Sequence, residues 1–450
     1  MTELYYPLLS LREGHWFKLI CGASFQHLPA VRNLTLAYAL AGADCIDIAA
    51  DPAVIAAARD GLEAAVQLGG EAQVRGFGFG HRPLLMVSLN DGEDPHFRKA
   101  EFDPEFCPVD CPRPCEKICP AQAIVFQNAS DFREEEQGRS FSEDRDGALV
   151  RTGESPKIRN PQSKIGSPQI HPREPNPKSK ILNLKLDDGF SGVIDQRCYG
   201  CGRCLPICPS QLIYSRSYVS APEAIAGLIV QAGVDALEIH TQVGHLEDFQ
   251  RLWQAIAPWV DRLKLIAISC QDGDGLIDYL WALHKLITPL PCPLVWQTDG
   301  RPMSGDIGTG ATRAAVKLSQ KVLAAGVPGY VQLAGGTNNH TVAKLKAAGL
   351  LRDLGREIGE DSSKFPIPNS QWYVAGVAYG SYARILLSSI LDELEKFNGE
   401  AVDTKLASLQ SPLLGHLEEF PTLLWQAVAK AHSLVGQLKS AKKLPQQLPN

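Results

Sequence analysis

Two cysteine runs supply most of the reactive chemistry in this chain. The first is Cys107-x3-Cys111-x3-Cys115-x3-Cys119-Pro120, and the second is Cys198-x2-Cys201-x2-Cys204-x3-Cys208-Pro209. Together they hold eight of the twelve cysteines. A [4Fe–4S] cube needs four thiolates converging on four iron corners. Two-residue gaps let one tight loop supply three of them, and a fourth cysteine followed by proline points away to a second cube. The spacing therefore predicts two 4Fe–4S clusters with crossed ligation. Cys198, Cys201, Cys204 and Cys119 hold one; Cys107, Cys111, Cys115 and Cys208 hold the other. Gly200 and Gly202 allow close approach of the backbone to the cluster.

The second run matches the bacterial ferredoxin ligand run residue for residue. The first departs from it, with three-residue gaps throughout. Spacing of four is that of a helix face, but Pro108, Pro112 and Pro114 argue against a helix there. A wider loop around a cluster of altered exposure or potential is expected. Structural zinc and disulfides are the other readings of clustered cysteines. Zinc sites usually come as separated cysteine pairs, and disulfides need an oxidising compartment.

These runs need a scaffold. The chain has 450 residues, enough for two or three domains, and an ordinary apolar share of 44%. Its net charge of −6 leaves no nucleic-acid footprint. No apolar stretch reaches membrane-spanning length, and MTELYYPLLSLREGHW lacks the regions of a signal peptide. A cytoplasmic protein is expected, and a membrane-peripheral position stays compatible with that.

Strand-like apolar runs stand at 16–24, 44–50, 83–90, 236–241, 263–270, 293–300, 330–336 and 373–380. Most read as strands buried on both faces. Helical segments lie between most of them, at 28–41, 52–68, 220–232, 246–258, 275–288, 309–325 and 339–349, and one follows at 382–397. Eight such units predict an α/β fold, a (β/α)8-like barrel. A ferredoxin-like module would be inserted at 95–218, and a doubly wound open sheet with the same insertion is the alternative. The expected divisions are 1–94, 95–218, 219–400 and a helical extension with tail at 401–450. Residues 127–180 are polar and proline-bearing, read as a linker within the module. AIVF (123–126) and GVIDQ (192–196) should pair as strands, and 413–438 should be one or two amphipathic helices.

Barrel chemistry belongs at the C-terminal strand ends. There the sequence offers Ser24, Asp51, Asn90, His240, Cys270, Gln271, Gln297 and Asp299. Gly335, Gly336 and Thr337 follow the seventh strand, and Gly380 and Ser381 the eighth, each before a helix. These five form the candidate cradle for FMN or another phosphate-bearing ligand; tight βα turns explain the glycines equally well. A glycine-rich segment at 299–313 has no Walker or dinucleotide fingerprint, and Arg301 and Asp306 in it are available to pair. Cys21, Cys45, Cys270 and Cys292 read as buried fillers, with Cys270 the one candidate for reactivity. His240 reads as a hydrogen-bonded rim residue rather than a base.

The chain resembles the LdpA family, the light-dependent period proteins of cyanobacteria. Three features carry the resemblance: QRCYGCGRCLPICP; the preceding CPVDCPRPCEKICP; and WQTDGRPMSGDIGTGAT with VQLAGGTNNHTVAKLKAAGL and AGVAYGSYARILL. It covers most of 1–400. It implies an iron–sulfur protein in an input pathway of the Kai circadian clock. Such a protein would report cellular or plastoquinone redox state, touch a quinone or electron carrier, and pass the signal to partners such as CikA and KaiA. The resemblance transfers the family's cluster ligands onto the eight cysteines and carries no catalytic residues. A non-enzymatic redox sensor is therefore the first functional expectation. An iron–sulfur oxidoreductase feeding a flavin or substrate in the barrel mouth is the second.

Overall fold

The computed structural model describes residues 6–126, 191–217, 233–301, 308, 310–352, 373–403 and 416–439. Met1–Val125 and Gly192–Asn450 pack as one unit; Phe126–Ser191, the other, lies almost wholly outside the described residues. The expected linker at 127–180, the helix at 220–232 and Asp306 also fall outside them.

The chain opens with three parallel strands, β1 (Trp16–Gly22), β2 (Cys45–Ala49) and β3 (Leu84–Asn90). Four short strands follow: β4 (Arg98–Glu101), β5 (Ile124–Val125), β6 (Gly192–Val193) and β7 (Tyr214–Ser217). Five more parallel strands complete the set: β8 (Ala236–Thr241), β9 (Leu265–Gln271), β10 (Leu294–Asp299), β11 (Tyr330–Ala334) and β12 (Gly376–Tyr379). The order β1-β12-β11-β10-β9-β8-β3-β2 closes on itself. The closing pair is β1 with β12, Trp16 opposite Gly376. The fold is thus the (β/α)8-like barrel, and the open sheet is excluded by that last pairing. A Cβ on Gly376 would stand 2.1 Å from the Trp16 carbonyl oxygen, so only glycine lets the seam close.

The strands are apolar because both faces are covered. Their outward residues, such as Leu19, Ile46, Val87, Ile239 and Ile268, meet the helices in the main core. A smaller cluster inside the barrel, including Trp16, Cys45, Leu84, Met86, Leu265 and Val295, fills it. The helix Pro421–Lys439 packs on the outside of the barrel beside the helix Leu28–Leu40, and at its end Lys439 Nζ lies 2.6 Å from Asp44 Oδ2. Among the described residues, no helix is long and apolar enough to cross a membrane.

Between β3 and β8, β4 pairs antiparallel with β7, and β5 with β6, Ile124 opposite Val193. The second pairing is the one expected from AIVF and GVIDQ; the first joins short polar segments with no strand signature. Helix in the first run is a correction to the loop reading. Pro114–Ile118 is helical, with Pro114 in its first turn, where a missing N–H costs nothing. Proline there starts the helix that its presence seemed to exclude.

Candidate iron–sulfur site and barrel mouth

The two runs share a backbone plan. Cys115 lies in the helix Pro114–Ile118, and Cys204 starts the helix Cys204–Ile207. Cys119 and Cys208 each follow directly, extended at φ −72 and −69. Three residues on, Gln122 and Gln211 take left-handed φ values of 47 and 50. Their N–H groups donate to the carbonyls of Cys119 and Cys208 at 3.2 and 3.1 Å. Each Cys-Pro-x-Gln turn therefore directs its cysteine away from its own run.

Cys119, Cys198, Cys201 and Cys204 line one cavity of about 450 Å³. Two sulfurs in it accept backbone N–H groups, Cys119 from Ala123 at 3.2 Å and Cys198 from Ala100 at 3.4 Å. Burial pushes the Cys204 thiol up to about 12, with Cys201, Cys198 and Cys119 adding to it. At the other group, burial and then Cys111 push the Cys107 thiol up, burial pushes Cys115 up, and Cys208 adds a smaller push to both. Burial raises Cys208 itself, but N–H groups of Leu212, Ile213, Ser210 and Gln211 outweigh it and lower the thiol. A cavity lined with four thiols and N–H donors fits iron–sulfur ligation, in which the metal draws the thiols to thiolates.

Two-residue gaps demand glycine. Gly200 sits at φ +71, and a Cβ there would stand 2.1 Å from the Arg98 carbonyl oxygen. Gly202 is left-handed too. Tyr199, between Cys198 and Cys201, is buried beneath the Arg384 guanidinium, 4.1 Å from the ring centroid. Arg384 donates to the carbonyls of Ile20 and Cys21 at 2.8 and 2.9 Å, which fastens the cysteine loop to β1. Lys99 helps by donating to Gln26 Oε1 and Asp195 Oδ2, both at 2.8 Å.

Tyr199 also lines a second, solvent-open cavity of about 740 Å³ at the C-terminal barrel end. Gly335, Gly336, Thr337, Gly380 and Ser381 all lie on its wall, with His240, Gln297 and Asp299. Much of the loop's polar capacity is already used. The Thr337 hydroxyl donates to the Ala378 carbonyl at 2.8 Å. The N–H groups of Asn338 and His340 donate to Thr341 Oγ1 and Asn338 Oδ1, both at 2.9 Å. Gly335 has a packing reason: at φ +73, a Cβ would lie 2.0 Å from Asp299 Oδ1. Of the other strand-end residues, Asp51 caps the helix Pro52–Val74 and Asn90 donates to the Gly92 carbonyl. Cys270 is buried, which raises its thiol well above the ordinary range, against the expectation of reactivity.

Beneath the cavity runs a polar chain that pattern reasoning missed. Lys18 on β1 is fully buried, paired with Glu238 and 3.2 Å from Asp47 Oδ2. Gln297 donates to Glu238 Oε1 at 2.6 Å, and His240 Nε2 lies 3.0 Å from the same oxygen. His96 spans Asp94 at 2.7 Å and Asp299 at 2.8 Å. Burial would raise Glu238, but Lys18 and His240 hold it down at about 2. Burial would lower His96, but Asp299 and Asp94 raise it well above the usual imidazole range. One charge in each of three otherwise apolar strands, Lys18, Asp47 and Glu238, was the available signal, since such charges must meet inside.

Fold and cysteine geometry define an iron–sulfur-binding protein built on a (β/α)8-like barrel. Comparison with known proteins agrees. Residues 107–139 and 177–219 match the LdpA Fe-S cluster-binding domain, and 228–437 match the light dependent period A C-terminal domain. The chain is 43% identical over 436 residues to the Light dependent period A protein of Synechococcus elongatus, covering 97% of this chain and 94% of that one. The chain belongs to the light dependent period A family.

Proposed function

We propose that the protein is a redox sensor carrying two 4Fe–4S clusters, and that it passes redox state into a circadian-clock input pathway. The clusters supply reversible one-electron exchange. The observation that carries the reading is the place of Cys119: it belongs to the first run yet shares a cavity with Cys198, Cys201 and Cys204. The closeness of Cys208 to Cys107 and Cys115 supports the complementary set. Near the first run Phe106 and Val109 are 71% and 96% exposed. Apolar side chains beside an outward cysteine group favour a protein contact that senses cluster charge. A sensor must bind its partner with different affinity in its two states.

The partners proposed from the family resemblance are clock-input proteins such as CikA and KaiA, with a quinone or electron carrier as redox input. The test is calorimetric titration of such a partner against oxidised and reduced protein. A tenfold difference, about 1.4 kcal/mol, is the expected scale. Equal affinity in both states overturns the sensor reading.

A second reading has its own observation. Tyr199 lines both the cysteine cavity and the barrel mouth. That adjacency favours an iron–sulfur oxidoreductase whose mouth takes FMN or another phosphate-bearing ligand on Gly335, Gly336, Thr337, Gly380 and Ser381. Structured flavin bands in the visible spectrum of anaerobically purified protein would favour this reading over the sensor.

A further inference from the structure

We propose that Asp94, His96 and His240 form a site for one divalent first-row metal ion, open to the barrel mouth and separate from both cysteine groups. Each residue offers one ligand atom, and these atoms lie within 4.8 Å of one another. Asp94 Oδ1 is 2.7 Å from His96 Nδ1 and 3.6 Å from His240 Nδ1. Two elements meet here: His240 lies one residue before the end of β8, and Asp94 and His96 lie just after β3, at the functional end of the barrel.

The supporting residues separate this cluster from a chance ion pair. Metal-binding histidines give their other ring nitrogen to a carboxylate, which fixes tautomer and ring direction. Both rings do so here. His96 Nε2 is 2.8 Å from Asp299 Oδ2, and His240 Nε2 is 3.0 Å from Glu238 Oε1. Glu238 is fixed in turn by Lys18 and Gln297. Asp94 Oδ1 is anchored by the His96 N–H at 2.8 Å. The two Nδ1 atoms thus converge on one carboxylate oxygen. Asp299 Oδ1 is buried and finds no hydrogen-bond donor among the described residues. Asp47, Asp94, Glu238 and Asp299 set four carboxylates against Lys18 and the imidazoles of His96 and His240, a surround in which a cation can take the place of imidazole protons.

The donor set points to a first-row divalent ion. Two imidazoles and one carboxylate without thiolate form the facial triad of Fe²⁺ sites, suit Mn²⁺, and match the two-histidine, one-carboxylate set of catalytic Zn²⁺. The ion takes the place of the Nδ1 protons in the Asp94–histidine hydrogen bonds, and those protons are released to solvent. The remaining positions face the cavity that Arg301 also lines, so water or an anionic oxygen-donor ligand completes the shell.

The experiment is a Mn²⁺ titration of the full chain, purified anaerobically and cluster-loaded, with the six-line signal of free Mn²⁺ as readout. Mn²⁺ discriminates well because it binds carboxylate and imidazole in preference to thiolate. One ion per chain should leave the free signal. Asp94→Asn and His240→Gln should weaken binding at least about a hundredfold, and Asp299→Asn, which touches only the His96 support, about tenfold. Glu71→Gln, in an exposed ion pair with Arg75 outside both sites, should bind as wild type does. If wild-type protein leaves all millimolar Mn²⁺ free, or binds it equally with Asp94→Asn and His240→Gln, the site is overturned. Should those two variants fail to fold by circular dichroism, Asp299→Asn decides, and unchanged affinity there overturns the site.

Discussion

Cys119 and Cys208 end their runs with the same backbone turn but arrive in different surroundings. Cys119 joins a group whose loop is pressed on the barrel by Tyr199, Arg384 and Lys99. Cys208 joins a group flanked by exposed Phe106 and Val109, with Ile118 and Ile207 also exposed. The inner group reaches its tight two-residue spacing through left-handed Gly200 and Gly202. The outer group spans three-residue gaps with prolines and one left-handed non-glycine residue, Arg113 at φ 51. One local plan thus stands in two settings: a group anchored to a rigid scaffold and a group flanked by exposed apolar side chains.

The largest expected effect tests how the cysteines are shared. Two cubanes imply about eight iron atoms per chain. Cys119→Ser should remove the inner cluster and Cys208→Ser the outer one, each lowering iron by about four. Magnetic resonance of the reduced variants identifies which centre survives. If Cys208→Ser instead destroys the cluster of its own run, the crossed plan and the comparison both fail.

Backbone strain gives the next contrast. Gly200→Ala puts a Cβ into the Arg98 carbonyl at a left-handed position, which costs more than the usual 1–2 kcal/mol of that conformation. The inner cluster should assemble poorly while the outer loads normally. Arg113→Gly relieves the same kind of conformation in the outer run and should stabilise by roughly 1 kcal/mol, read in thermal unfolding. A harmless Gly200→Ala would mean that the inner loop is not held against β4.

The sequence makes some of this contrast visible and hides the rest. All eight barrel strands are legible because burial on both faces leaves continuous apolar runs such as CIDIA and LIAIS. Closure is not legible, since it depends on Trp16 meeting Gly376 across most of the chain. The pairing of β4 with β7 joins RKAE to YSRS, polar segments without alternation. The eight cysteines announce themselves by spacing. His96 and Asp94 do not, because they sit in an irregular segment and gain meaning only when the barrel brings β8 and β10 to them. Lys18 and Glu238 were readable in principle as charges stranded within apolar strands, but their meeting is a property of the closed barrel.

A smaller effect concerns the electron energy of the two centres. Exposure and N–H···S bonds set cluster potentials. Here the inner sulfurs take N–H groups from Ala100 and Ala123, while the outer group is more open to solvent. Anaerobic redox titration should resolve two waves at least about 60 mV apart, a tenfold ratio for one electron. The outer centre should also bleach first in air. Coincident waves with equal oxygen tolerance would erase the functional side of the comparison.

The smallest effect sharpens the comparison by changing the scaffold alone. Asp235, just before β8, accepts from Arg82 at 2.9 Å, the Leu85 N–H at 3.0 Å and Lys264 at 2.7 Å. Burial would raise its carboxyl, but Lys264, the Leu85 N–H and Arg82 hold it below the usual carboxylate range. A carboxyl lowered in the folded state stabilises fully above its unfolded value, about pH 4, and loses that contribution as pH falls. Asp235→Asn should therefore cost about 1 kcal/mol near neutral pH, modest because Lys264 and Arg82 are partly solvated. The difference from wild type should begin to shrink below about pH 4 and vanish only below the lowered native value, where the folded carboxyl also becomes neutral. Thermal unfolding across that range measures it. Both cysteine groups should load equally in Asp235→Asn at pH 7, because neither touches the residue. Selective loss of the inner cluster would show that its anchoring depends on the whole barrel wall, beyond the Tyr199, Arg384 and Lys99 contacts.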